Sequence, residues 1–178
     1  MKGDIPYPEC HLRMPCWMNN GPVRRTGKIE QYSKDRKSLL SRHTRFCSFV
    51  YSNGNAPERI HFLRLLSRYK HVDCGGMVMN NMGSCVRDKI AFCSSCKFTI
   101  AFENYPAAGY VTEKLFDSLA ALSLPIYWGA PDAGMEANPS RFVNAADFST
   151  PEALAEYVIR LDQDEDLYLS YLDGPVFV

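Results

Sequence analysis

Phe98-Thr-Ile-Ala-Phe-Glu-Asn-Tyr-Pro-Ala-Ala-Gly-Tyr-Val-Thr-Glu-Lys-Leu-Phe-Asp-Ser-Leu-Ala-Ala-Leu-Ser-Leu-Pro-Ile-Tyr-Trp128 is the stretch whose reading decides the fold. Phe98–Phe102 is apolar apart from Thr99 and reads as a strand buried on both faces. Thr112 is a good N-cap, and Leu115, Leu119 and Leu122 share one face, which predicts a helix from Thr112 to Leu122. Pro125–Trp128 is a second buried strand, closed by Gly129. Strand, helix, strand at this spacing is a βαβ unit, which implies parallel strands.

The same alternation continues on both sides. Upstream, Phe46–Tyr51 is a buried strand and Asn53-Gly-Asn-Ala-Pro57 a turn. Pro57 sits well at the first position of a helix running to about Tyr69. His71–Cys74 predicts a short strand ended by Gly75-Gly76, and Asp88–Cys96 a helix. Downstream, Phe142–Asn144 is a short strand, Pro151–Leu161 a helix, and Glu165–Leu172 a second, acidic helix. The expected fold is α/β, a doubly wound, Rossmann-like parallel sheet over residues 46–178. Such sheets bind ligands at the carboxyl ends of their strands, where the loops after Tyr51, Phe102 and Trp128 emerge. Residues 1–45, rich in Pro, Arg, Lys and Ser, read as a basic connector with a short helix near Tyr32–Leu40.

With 178 residues, 46% hydrophobic and 22% charged, the chain has the bulk of one soluble domain. A net charge of zero gives no overall field toward nucleic acid. The charge is uneven, however: residues 1–45 carry ten Lys/Arg against four Asp/Glu, a local +6, and residues 145–178 carry eight acids against Arg160, a local −7. The basic arm could touch anionic lipid or another part of a larger protein. No run approaches the roughly 20 apolar residues of a membrane span, and the amino terminus lacks the apolar core of a signal peptide. Seven cysteines, an odd number scattered among apolar positions, suit buried thiols in a reducing compartment. The expected location is cytoplasmic, with peripheral membrane contact through the basic segment.

Glu103-Asn104 ends one strand, and Gly109-Tyr-Val-Thr-Glu-Lys114 opens the next helix. A helix start at that edge of a parallel sheet offers unpaired N–H groups and a partial positive charge, a ready anion site. Lys114 in the first turn runs against the helix dipole, a conflict that a bound phosphate would resolve. Glu113 beside it accepts hydrogen bonds only and suits the paired hydroxyls of a ribose. Arg59, in the first turn of another helix at the same edge, carries the planar fork that a pyrophosphate wants. The plain reading of both helix starts is a capped, solvated surface.

Neither Gly-x-Gly-x-x-Gly nor a Walker lysine loop is present. Cys93-Ser-Ser-Cys96 has redox or zinc spacing inside a predicted helix, but buried thiols fit it better. Asp162-Gln-Asp164-Glu-Asp166 contains the Asp-x-Asp pattern of metal-dependent sugar transferases, yet it reads as a solvated helix junction. His43, His61 and His71 show no hydrolase partner in sequence.

Phe102-Glu-Asn104 followed by Gly109–Lys114 resembles the signature of the α1,3/α1,4-fucosyltransferases, family ten of the glycosyltransferases. Three further stretches agree in order. They are Phe46–Asn53 with Asn55-Ala-Pro-x-Arg59, Pro125-Ile-Tyr-Trp-Gly129, and Asn138-Pro-x-x-Phe142-Val-Asn144 with Asp147-Phe148. The resemblance covers residues 45–175 and implies the carboxyl-terminal, donor-binding half of a GT-B enzyme that transfers fucose from GDP-fucose with inversion. It implies that Arg59 and Lys114 neutralise the diphosphate, that Glu113 holds the ribose, and that Asn104 and Tyr110 line the same pocket. It implies no metal or other cofactor.

Family members also carry an amino-terminal acceptor domain that supplies the base, and residues 1–45 contain no equivalent. The expectation is therefore a donor half that meets its glycan acceptor, a lactosamine-type chain, only with an added domain, whether as fragment, split enzyme or decayed enzyme. A non-catalytic GDP-sugar-binding module and another nucleotide-sugar transferase are the alternatives.

Overall fold

Five short strands form one parallel sheet in the computed structural model, which describes residues 36–177. They are β1 (Arg45–Phe49), β2 (Val72–Cys74), β3 (Cys96–Phe102), β4 (Leu124–Trp128) and β5 (Val143–Asn144), in the order β2-β1-β3-β4-β5. The helices are α1 (Arg36–Arg42), α2 (Pro57–Ser67), α3 (Lys89–Cys93), α4 (Glu113–Ala121), α5 (Pro151–Gln163) and α6 (Glu165–Ser170). The chain steps one way across the sheet from β1 to β2, then the other way through β3, β4 and β5. Right-handed crossovers therefore place α2 on one face and α3 with α4 on the other. The packing agrees: α2 lies against α5, and α3 against α4.

The central strand shows why the sequence pattern reads so clearly. Every residue of β3 except Lys97 is buried, because helices cover both faces. Phe98, Ile100, Leu115, Leu119, Leu124, Ile126 and Val158 join one core. Thr99, the polar exception, lies within a buried chain of hydroxyls, 2.8 Å from Ser48 Oγ and 2.7 Å from Ser123 Oγ. Each polar group has a partner, so the core tolerates them.

Several boundaries move for physical reasons. The sequence places Cys93 and Cys96 in one helix, but α3 stops at Cys93 and Cys96 opens β3. Both thiols are buried, and burial raises both above the ordinary thiol value, Cys96 to about 12. Among the described residues no group of three or more His, Cys, Asp or Glu could hold a metal ion. Leu39 of α1 is 1% exposed within the core. The end of the supposed connector is thus part of the domain, while the remainder of the basic segment, with residues 32–35 of its predicted helix, lies outside the described residues. Among the described residues no helix is long and apolar enough to cross a membrane.

The Asp-x-Asp stretch is not a solvated junction throughout. The Asp162 side chain is 6% exposed, accepts from Tyr69 Oη at 2.9 Å and Lys70 Nζ at 2.7 Å, and meets Lys97 Nζ at 3.3 Å. It ties the end of α5 to the α2–β2 turn and to β3. Asp164 caps α6 by accepting from Leu167 N at 3.0 Å.

Burial alone would raise the Asp162 carboxyl, but the Lys70 and Tyr69 hydrogen bonds and the Lys97 charge outweigh it and hold it below the ordinary value of 3.8. A folded-state value below the unfolded one makes its contribution full above that pH and lost as pH falls through the folded value. Replacing Asp162 with Ala should cost about 2 kcal/mol at neutral pH, since Tyr69 and Lys70 lose their acceptor and Lys97, still held by the Asp162 carbonyl at 2.8 Å, loses its counter-charge. The loss should shrink below about pH 4, as read from urea midpoints against pH.

Candidate functional site

A sheet in the order 2-1-3-4-5 has its reversal between β1 and β3, and ligands of such folds enter the crevice at that point, beyond the carboxyl ends of the strands. The loops after β1 and β3 flank it. All five residues singled out from the sequence, Arg59, Asn104, Tyr110, Glu113 and Lys114, come together here. Asn104 joins them: its Oδ1 accepts from Arg59 Nη2 at 2.9 Å, and its Nδ2 donates to Tyr110 Oη at 3.3 Å.

Lys114 is the reachable cation. Thr112 caps α4 from an extended conformation, and this aims the Lys114 side chain back across the helix start. Its Nζ lies 2.9 Å from Thr112 Oγ1, 3.1 Å from Glu103 Oε2 and 3.4 Å from Glu113 Oε1. The conflict with the helix dipole is therefore resolved inside the protein. The negative charge expected of a bound phosphate is supplied by Glu103.

Glu103 is fully buried, and both its oxygens are occupied: Oε1 accepts from Thr112 N at 2.8 Å, Oε2 from Thr112 Oγ1 at 2.7 Å and from Lys114. Burial pushes its carboxyl above the ordinary value, against the pull of Lys114 and Thr112. With donors on both oxygens, the ionised form is the one that fits. For Lys114, burial works against the charge, but Glu103 and Glu113 outweigh it and hold the ammonium above its ordinary value.

Arg59 is placed differently from either expectation. It is 1% exposed, neither a solvated helix arginine nor a fork open to a ligand. Nη2 donates to the carbonyls of Phe102 at 2.9 Å and Glu103 at 3.0 Å as well as to Asn104, and Nη1 donates to Asn53 O at 3.2 Å. The guanidinium lies 3.8 Å over the Tyr51 ring, and its buried Nε has no partner. Arg59 thus fixes the end of β3 and lends the crevice a buried positive charge from behind.

Glu113 sits at the mouth, its side chain 39% exposed. Burial would raise its carboxyl, yet the Lys114 and Lys89 charges hold it below the ordinary value, so it is an ionised acceptor at neutral pH. Tyr110 is buried and stacks on the half-exposed Tyr105, ring centroids 4.5 Å apart and planes 6° from parallel. Beyond the charged cluster, a cavity of about 400 Å³ lies among Phe62, Phe102, Trp128 and Phe148, and neither it nor the neighbouring groove at Gly129 and Asn144 is lined by the five residues. His61 and His71 do have carboxylate neighbours in space, Glu152 at 3.6 Å in an exposed surface pair and the buried Asp73 at 3.7 Å.

The model of the carboxyl-terminal domain of glycosyltransferase family 10, the fucosyltransferases, matches residues 40–174. The chain belongs to that family. The α-(1,3)-fucosyltransferase FucT of Helicobacter pylori is 41% identical over 127 residues, which is 71% of this chain and 27% of that protein. Glycoprotein 3-α-L-fucosyltransferase A of Drosophila melanogaster is 32% identical over 152 residues, 81% of this chain and 30% of that protein. Among solved structures, an α1,3-fucosyltransferase with GDP-fucose superposes with a TM-score of 0.74 at 35% identity, covering 84% of this chain and 46% of that one. The chain therefore spans a quarter to a half of the family 10 proteins it matches, and the sheet is the one found in their GT-B fold.

Sequence reasoning included Glu103 and Thr112 in the candidate stretch but gave neither a role, and it gave none to Tyr105 or Gly129. Glu103 carried a signal: a carboxylate directly after a buried strand needs a cation, and Lys114 was the unexplained one. Gly129 stands in one of the quoted family motifs, but no neighbouring residue shows what it leaves room for. A Cβ there would lie 2.4 Å from Glu103 Cγ and 2.8 Å from Tyr127 Oη. Gly129→Ala should therefore displace Glu103, lowering stability by about 2 kcal/mol, a cost typical of overpacking. Thermal unfolding checks the cost, and a lysine-specific NMR shift checks whether Lys114 loses its partner.

Proposed function

We propose that this domain binds GDP-fucose in the β1/β3 crevice and serves as the donor half of a metal-independent, inverting fucosyltransferase acting on a lactosamine-type glycan. The observation that carries the reading is Lys114, a nearly buried ammonium at a helix start on the ligand-binding edge, flanked by Glu113 and backed by Arg59. Lys114 meets the diphosphate, whose charge grows as the glycosidic bond breaks, and a fixed cation lowers the energy of that leaving group. Arg59, its fork held by Phe102, Glu103 and Asn104, contributes positive potential from behind. Glu113 accepts from the ribose hydroxyls, while Asn104 and Tyr110 line the same pocket.

These cations do the work that a divalent ion does in other sugar transferases. Glu103 is buried and Glu113 is assigned to the ribose, so neither takes the acceptor proton, and we assign that base to a separate acceptor domain. General-base catalysis contributes about 10²–10⁴-fold, and turnover follows only when that acceptor domain is supplied. Among the described residues Cys47, Cys74, Cys85, Cys93 and Cys96 are free thiols, in keeping with a reducing, cytoplasmic setting; the charge of the basic segment suits a peripheral contact with anionic lipid.

Calorimetry tests the donor. GDP-fucose should bind more tightly than UDP-sugars, and EDTA should leave its affinity unchanged; tighter binding of a UDP-sugar would overturn the fucosyl reading. Lys114→Ala should cost roughly 1.5–3 kcal/mol of GDP binding, the range for a charge-assisted hydrogen bond. Glu113→Ala should weaken GDP binding and spare inorganic pyrophosphate.

A further inference from the structure

Three features converge on one buried carboxylate. The Glu103 side chain reaches from the end of β3 to the start of α4, where its oxygens take the Thr112 N–H and hydroxyl and the Lys114 ammonium. Gly129 leaves the space through which its side chain passes. Its own carbonyl accepts from Arg59, so the residue touches both cations of the crevice. Folding alone does not call for this arrangement. Replacing a buried ion pair by well-packed apolar residues is often neutral or stabilising, and a neutral acceptor would satisfy the Thr112 N–H equally well.

The pair does, however, decide how the crevice meets an anion. Arg59 and Lys114 bring two positive charges, Glu103 and Glu113 two negative ones, so the four groups sum to zero. Helix start and ammonium, the two elements that would attract a phosphate, are already turned toward a carboxylate.

We propose that Glu103 is an internal stand-in for the ligand anion, a positioning residue that holds Lys114 at the helix start and competes with the diphosphate for it. The inference rests on the reading of the crevice as a nucleoside-diphosphate site. When the ligand arrives, Lys114 exchanges or shares Glu103 for a phosphate oxygen. When the ligand leaves, the ammonium returns to a partner already in place, so it is never left buried and alone. The competition weakens binding of every anion that uses Lys114 and so speeds release of the nucleoside diphosphate left after transfer.

The test is Glu103→Gln, whose amide oxygen can still accept from Thr112 N while the charge is removed. GDP and inorganic pyrophosphate should both bind at least tenfold more tightly: a like charge about 4 Å from the phosphate at an effective dielectric near 20 corresponds to about a thousandfold, and solvent entering the crevice screens part of it. Their affinities should also fall more steeply with NaCl than in the wild type, because the crevice now carries net positive charge. Adding Lys114→Met should abolish the gain. A merely structural role for Glu103 predicts weaker binding with an unchanged salt slope, and that result would overturn the proposal, as would unchanged affinity.

Should the Gln variant not fold, Glu103→Asp withdraws the carboxylate by one methylene. It should give a gain of about threefold, the same competition weakened by distance; no gain there overturns the proposal. If the wild type binds neither GDP nor pyrophosphate, the donor reading itself fails, which is a separate outcome.

Discussion

Glu103 holds the crevice together because it reaches both of the site's cations from a position at the end of the central strand. Its carbonyl takes the Arg59 guanidinium and its carboxylate takes Lys114, so α2, β3 and α4 are tied at one residue. Each of these elements enters the crevice from a different crossover. Without a common partner, two buried cations at the edge of one sheet would repel each other and lose hydration with nothing in return. The close passage of Gly129 and the cap by Thr112 make sense as conditions for placing one carboxylate there.

Topology decides that this cluster lies where a ligand can reach it. Strand order reverses between β1 and β3, and the loops leaving those strands separate instead of crossing. Arg59 arrives with the helix after β1, and Asn104, Tyr110, Glu113 and Lys114 arrive with the loop and helix after β3. The Tyr51 hydroxyl donates to Ile100 O at 2.6 Å and accepts from Phe102 N at 2.8 Å, so the first loop is clamped to the third strand. The site rests on the sheet itself and not on mobile chain.

The family motifs acquire physical meaning from the same geometry. Asn138 caps the turn Pro139–Arg141, accepting from Ser140 N at 3.1 Å, and donates through Nδ2 to Pro175 O at 3.0 Å, which anchors the chain end near β5. Pro57 starts α2 where an N–H would be unused, and this sets Arg59 two residues into the helix. Motif residues that look alike in sequence therefore divide into those that face the crevice and those that hold its walls.

Hydrophobic pattern and punctuation by themselves determined the fold class. Buried parallel strands leave short apolar runs, Thr112 marks a helix start by a local hydrogen bond, and Pro57 and Pro151 mark theirs by a preset φ with no N–H to satisfy, so both are written in neighbouring residues. The five candidate residues stood out for the same reason, as charges and polar groups at strand ends and helix starts. Only the tertiary structure decided what those charges do. Whether Lys114 waits for a phosphate or already has a partner, whether Arg59 faces solvent or the end of β3, and whether Asp162 is solvated or an internal anchor all depend on groups from other elements. Burial and ion pairing are long-range in sequence, and no local pattern records the partner that satisfies a charge.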